Sequence, residues 1–135
     1  RAWERGALRP AAPTDHADIL ALDARASGEA RATVLGPHLG GTWVFGGPGQ
    51  VRGFWMPGLR EGLVVALDAE AGTTLLAAKA QAGGRMVMPA ANKEALAAAA
   101  RLGYVEASRA WRMVRGPRLA WAPGMLWSRI AGKLG

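Results

Sequence analysis

No cysteine occurs in the 135 residues, so neither a disulfide nor a thiolate metal ligand is available. Histidine is almost as scarce. His16 and His38 lie far apart along the chain, and that spacing offers no metal-binding pair, so no metal is expected. No apolar run reaches the ~20 residues that span a bilayer, and no basic segment followed by an apolar core opens the chain. The expectation is a soluble, cytoplasmic protein that does not engage a membrane. The first residue is Arg1 and not Met, which fits a piece of a longer protein with a domain ahead of it.

What is present is ordinary globular material, 50% hydrophobic and 20% charged, enough for one domain with its own core. The formal charge is +7 and it is unevenly placed. Residues 1–100 carry ten basic and nine acidic groups, whereas residues 101–135 carry seven basic and one acidic. A basic C-terminal quarter attracts anions, including nucleic acid and phosphate-bearing cofactors. Fourteen of the 17 basic residues are Arg and Ala is abundant, which a coding sequence biased in base composition also produces. No nucleic-acid-binding motif accompanies the charge, so a nucleic-acid partner ranks last.

Along the chain, "LRP" reads as a short strand. In "APTDHADILALDARASGEARATVLGP", Thr14 or Asp15 can cap a first helix carrying Ile19, Leu20 and Leu22. A second helix after Gly28 carries Val34 and Leu35 and stops at Gly36-Pro37. In "GTWVFGGPGQVRGFWMPG" two apolar runs flank a glycine-rich turn, which predicts a β-hairpin. The run "GLVVALD" reads as a strand buried on both faces. "AEAGTTLLAAKAQAGG", with Leu75, Leu76 and Ala80 at helical spacing and Gly83-Gly84 as its stop, predicts a helix, and "RMVMPA" a short strand. Asn92 then caps a helix with Ala95, Leu96, Ala99 and Leu102 inward and a left-handed stop at Gly103. "YVEASRAWRMVRG" supplies a last strand. The order is β-α-α-β-β-β-α-β-α-β, an α/β (α+β) fold whose sheet is mixed and mainly antiparallel, because the hairpin demands antiparallel pairing and helical crossovers demand parallel pairing.

That order, with "NKEALAAAARLGY" and its Asn-capped helix ending at a Gly-aromatic pair, resembles the GNAT acetyltransferase superfamily. Residues 7–116 resemble the C-terminal half of bacterial proteins built from two tandem GNAT-like domains. The division implied is a GNAT-like acyltransferase domain over 1–116 and a basic, aromatic extension over 117–135 packed on the domain or on a partner. The resemblance implies an acetyl-CoA-dependent N-acetyltransferase acting on the amine of a small molecule or peptide. It also implies that the cofactor enters between two parallel strands, one ending near Leu67 and the other running through Met86 to Met88.

Such chemistry needs a pyrophosphate cradle, N–H groups to polarise the thioester, a base for the amine and an acid for the thiolate. The stretch matching the family's cradle is "DAEAGTT", with Gly72 but no second glycine and no basic residue. Within it the N–H groups of Gly72, Thr73 and Thr74 are the available donors, and Leu67 and Asn92 complete the cofactor-binding set that the resemblance implies. The base falls to Glu61 or Asp68, which flank the central strand, although either also suits a solvated turn. The family's acid position, seven residues after Asn92, is Ala99. Tyr104, the one tyrosine, is the remaining acid, and it equally suits core packing.

Trp43, Phe45, Phe54 and Trp55 on the hairpin suit a core or an acceptor pocket. Trp111, Trp121 and Trp127 are interleaved with Arg109, Arg112, Arg115, Arg118 and Arg129, a combination that grips bases or phosphates, or covers a neighbouring surface. The sequence therefore carries two main readings. One is the acetyltransferase. The other is a catalytically silent GNAT-like domain that serves in substrate binding, docking or dimerisation, with a second copy or a preceding GNAT domain as its partner.

Overall fold

The computed structural model describes residues 8–59, 62–83, 86–89, 91–104 and 123–128. Leu8–Pro10 forms β1, and after a 3-10 turn at Pro13–Asp15 the chain enters α1, His16–Ser27. Ile19 and Leu22 turn inward, as their spacing predicts, and Gly28 ends the helix at φ 78°. Asp15 directly precedes α1, but its carboxylate does not cap it. One oxygen accepts the Ala12 N–H at 2.7 Å, and the pair accepts both Arg9 Nη atoms at 2.8 and 2.9 Å. Arg9 Nε donates to the Gly46 carbonyl at 3.0 Å, so one buried carboxylate fastens β1, the entry to α1 and the hairpin turn together.

The short α2, Ala32–Leu35, and a second 3-10 segment, Gly36–Gly41, lead into β2, Trp43–Phe45. β3, Gly53–Met56, completes the predicted hairpin. Its turn requires glycine at position 46, where φ is 123° and a Cβ would stand 2.1 Å from the Gln50 carbonyl oxygen. β4, Leu63–Ala66, is buried along its whole length. Leu63 and Val65 face a core built on α1, while Val64 and Ala66 face a second core. An apolar run without alternation is the signature of such a two-faced strand. α3, Ala69–Ala82, and α4, Lys93–Arg101, close the second core through Leu75, Leu76, Ala95 and Ala98.

The sheet has five strands in the order β1-β2-β3-β4-β5, where β5 is Leu126–Ser128. The architecture is α+β with helices on both faces of an antiparallel sheet, the class the sequence predicts, and the element order agrees through α3. Among the described residues no helix is long and apolar enough to cross a membrane.

Several details differ. The strand expected within 85–90 is absent over the described residues 86–89, which pass half-buried against the second core through Met86 and Met88. β4 pairs instead with β5, and among the described residues every pairing is antiparallel, with no parallel pair beside Leu67. The physical reason is competition for one edge of β4: Leu126 and Trp127 bury their side chains almost completely there. Residues 126–128 therefore belong to the sheet, although their segment reads as an extension.

α4 is rotated from its expected phase. Ala95, Ala98 and Ala99 face inward, whereas Leu96 and Leu102 stay 39% and 40% exposed. On α3 it is Lys79 that is buried, with Ala80 at the margin. The final strand expected over 104–116 lies outside the described residues from position 105 onward.

Candidate functional site

The expected cofactor cradle falls at the start of α3, and the structure gives that turn a definite chemistry. Asp68 stands at the N-cap with extended backbone, and its Oδ1 accepts the Ala71 N–H at 2.9 Å. This is the standard use of an aspartate where the first helical N–H groups lack partners. Arg52 arrives from the strand beside it. Its Nε and Nη2 donate to the two Asp68 oxygens, each at 2.9 Å, and Nη2 also donates to Glu70 Oε1 at 2.7 Å. The guanidinium lies 5.0 Å from the centroid of the Phe45 ring, in range for a cation–π contact.

This arrangement settles the charges. Hydrogen bonding from Arg52 is the largest influence on Asp68 and holds its carboxyl below the usual carboxylate range, against a smaller opposing effect of burial. The same bonds, from Asp68 first and Glu70 second, push the Arg52 guanidinium further up. A carboxylate so held accepts a proton only in acid. As a base for an amine, Asp68 is poorly placed near neutral pH.

Arg52 was not singled out from the sequence, yet the hairpin register contains the signal. Gly53 pairs with Ala66, so Arg52 must lie beside Leu67 and Asp68, and the Leu67 N–H indeed donates to the Arg52 carbonyl at 2.8 Å. Leu67 itself is 41% exposed.

Gly72 is the glycine of the expected cradle, and it is covered. Three indole atoms of Trp127 lie 2.2–2.5 Å from where a Gly72 Cβ would be, so the ring rests against bare backbone. The Gly72 N–H is spent on the Asp68 carbonyl at 3.0 Å. Thr73 is exposed and Thr74 half-buried on the next turn. Trp127 is among the largest fully buried side chains, and its Nε1 has no hydrogen-bond partner. No local pattern foretells a contact between residues so distant in sequence.

Asn92 is buried at the N-cap of α4, where its Oδ1 accepts the Ala95 N–H at 3.0 Å. Its Nδ2 donates to the carbonyls of Gly124 and Leu126, at 3.2 and 3.1 Å. The cap predicted from sequence thus has a second duty: it holds β5. Tyr104 lies beyond the other end of α4. Its N–H donates to the Ala99 carbonyl at 3.0 Å, and its ring packs half-buried against the second core. A helix of this length separates its two ends by roughly 14 Å, so Tyr104 and Asn92 do not share a site.

Glu61 lies outside the described residues. Among the described residues no group of three or more His, Asp or Glu side chains is placed to hold a metal ion. The structure therefore gathers Leu67, Asp68, Gly72, Thr73 and Thr74 at one turn, which it fills with Arg52 and Trp127, and leaves Tyr104 apart.

No family model, curated protein or solved structure matches the chain.

Proposed function

We propose that this domain is a catalytically silent module that serves in docking or dimerisation, with β5 paired along β4 where the GNAT-like fold it resembles in sequence would open a wedge for the cofactor. The observation that carries the reading is the occupied first turn of α3. Its capping position is taken by the Asp68 carboxylate, its neighbouring cation by Asp68 and Glu70, and its glycine by Trp127. A phosphate entering there would meet two carboxylates, and close like charges repel.

The turn that would cradle a pyrophosphate is instead closed with the chain's own groups. Calorimetric titration of acetyl-CoA into the protein tests this. No heat and no saturable binding are expected, and saturable binding would overturn the silent reading.

One observation favours the second reading, an acetyl-CoA-dependent N-acetyltransferase acting on the amine of a small molecule or peptide. Arg52 brings to the start of α3 the cation that the "DAEAGTT" stretch lacks. Half-exposed, it could exchange Asp68 for a phosphate. On that reading, Arg52→Ala removes whatever acetyl-CoA binding the titration detects.

A further inference from the structure

We propose that β5 is an exchangeable strand, and that the slot beside β4 takes the Pro123–Ser128 segment of a second copy of this chain. The inference rests on the docking reading above and names its partner.

The attachment of β5 is short and imperfect. Three residues form the strand, and its ladder with β4 is broken by a register shift between Val64 and Val65. Among the described residues, three buried side-chain polar atoms lack a hydrogen-bond partner, and two of them, Trp127 Nε1 and Ser128 Oγ, belong to β5. A polar group dried without a partner loses its hydrogen bonds to water with nothing in return. Releasing the strand returns both groups to water and recovers part of the cost of opening.

The slot is nevertheless selective. It offers a flat glycine backbone at Gly72 for one aromatic ring, and it offers the two N–H bonds of Asn92 Nδ2 for the carbonyls of Gly124 and Leu126. The opposite edge of the slot is β4, with Val64 facing Ser128 and Val65 facing Leu126. All these contacts run from the segment to α3, α4 and β4. The same segment from a second copy therefore satisfies them identically, and reciprocal exchange gives a closed twofold pair with no new chemistry. Within one chain the strand holds the advantage of high effective concentration, so exchange rises with protein concentration. Two copies of formal charge +7 repel, so salt should promote exchange, whereas it weakens binding to nucleic acid.

The absence of native cysteine makes the test direct. The double variant Val64→Cys/Ser128→Cys should close a disulfide within one chain under mild oxidation. Single variants Val64→Cys and Ser128→Cys, mixed at high concentration, incubated and then oxidised, should yield a covalent heterodimer of twice the chain mass, beyond what either gives alone. Val65→Cys with Leu126→Cys repeats the test at the next pair should Val64→Cys fail to fold. Closure of the double variant without heterodimer from the mixture would overturn exchange, and failure of both double variants to close would remove the pairing on which it rests. Acetyl-CoA calorimetry on the same protein reports separately on the silent reading, because binding of the cofactor leaves the cross-link yield to be read on its own.

Discussion

The indole of Trp127 lies against the backbone of Gly72, with Cε2, Cδ2 and Cζ2 only 2.2, 2.4 and 2.5 Å from the point a Cβ would occupy. That contact joins the last described strand to the first turn of α3. It makes residue 72 answerable to two opposed demands, since helices favour alanine over glycine by about 1 kcal/mol, while the ring leaves no room for a methyl group.

Gly72→Ala should therefore destabilise the protein despite its better helix propensity. Forcing the ring aside costs about 1–3 kcal/mol by the usual penalty for overpacking, and the melting temperature should fall. In a Trp127→Ala background the clash is gone, so the same substitution should become neutral or stabilising. A double-mutant cycle read by thermal unfolding checks this change of sign. Additive effects of the two substitutions would show that the ring does not sit on Gly72.

Asn92→Ala should cost more than a lost cap. The side chain accepts from Ala95 N–H and also donates to two carbonyls around β5. Cap removal alone costs about 1 kcal/mol, and the buried carbonyls left without a donor add a comparable amount. Asn92→Asp separates the two duties, because it keeps the acceptor and loses the donor. Because its second, charged oxygen would face those two carbonyls in a buried site, urea unfolding at neutral pH should place the Asp variant no higher than Ala, with both variants raising hydrogen exchange in β5.

How much of this was legible in the sequence follows from the range of each interaction. Turns and caps act within four residues, so the hairpin glycines, the Gly103 stop and the Asn92 cap can all be read directly. The unalternating run of β4 announced burial on both faces. The choice of neighbour for β4 was not legible, since "RMVMPA" and "LWS" are both apolar and short and only packing decides between them. The phase of α4 failed for a related reason. Its small Ala95, Ala98 and Ala99 turn into the second core, where α4 packs against α3, so the larger Leu96 turns outward, whereas hydrophobicity alone ranks leucine above alanine. At the candidate site the residues of one turn were found because they are contiguous. Arg52 escapes such a reading, and Trp127 reads as a surface-covering aromatic without a place at this turn, because both reach it from distant parts of the chain.

Acid should weaken the fold through Asp15. Hydrogen bonding to Arg9 is the largest influence on this buried carboxyl and lowers its pKa. A carboxyl depressed in the folded state binds fewer protons there than in the unfolded chain. Its stabilisation is therefore complete above the unfolded value of about 3.9 and is lost as pH falls toward the folded value. Asp15→Asn should lower stability at pH 7, leaving Arg9 without its counter-charge, and should flatten the loss of stability below about pH 4. Urea midpoints across that range test both statements. Asp68 is depressed in the same direction and contributes in the same window.

Asp68 allows the cap to be separated from the ion pair. Arg52 and Asp68 are 40% and 42% exposed, and pairs in such surroundings contribute roughly 0–1 kcal/mol. The cap to Ala71 is the larger stake, at about 1 kcal/mol. Asp68→Asn removes the charge and keeps a good capping oxygen, so it should leave stability within about 0.5 kcal/mol of wild type, with a difference that shrinks in salt. Asp68→Ala removes both and should cost at least about 1 kcal/mol, and only the part it shares with Asp68→Asn should shrink in salt. Chemical unfolding at low and high ionic strength distinguishes the two. Equal losses for Asn and Ala would mean that the charge on Asp68, and not its oxygen at the helix start, holds the first turn of α3 in place.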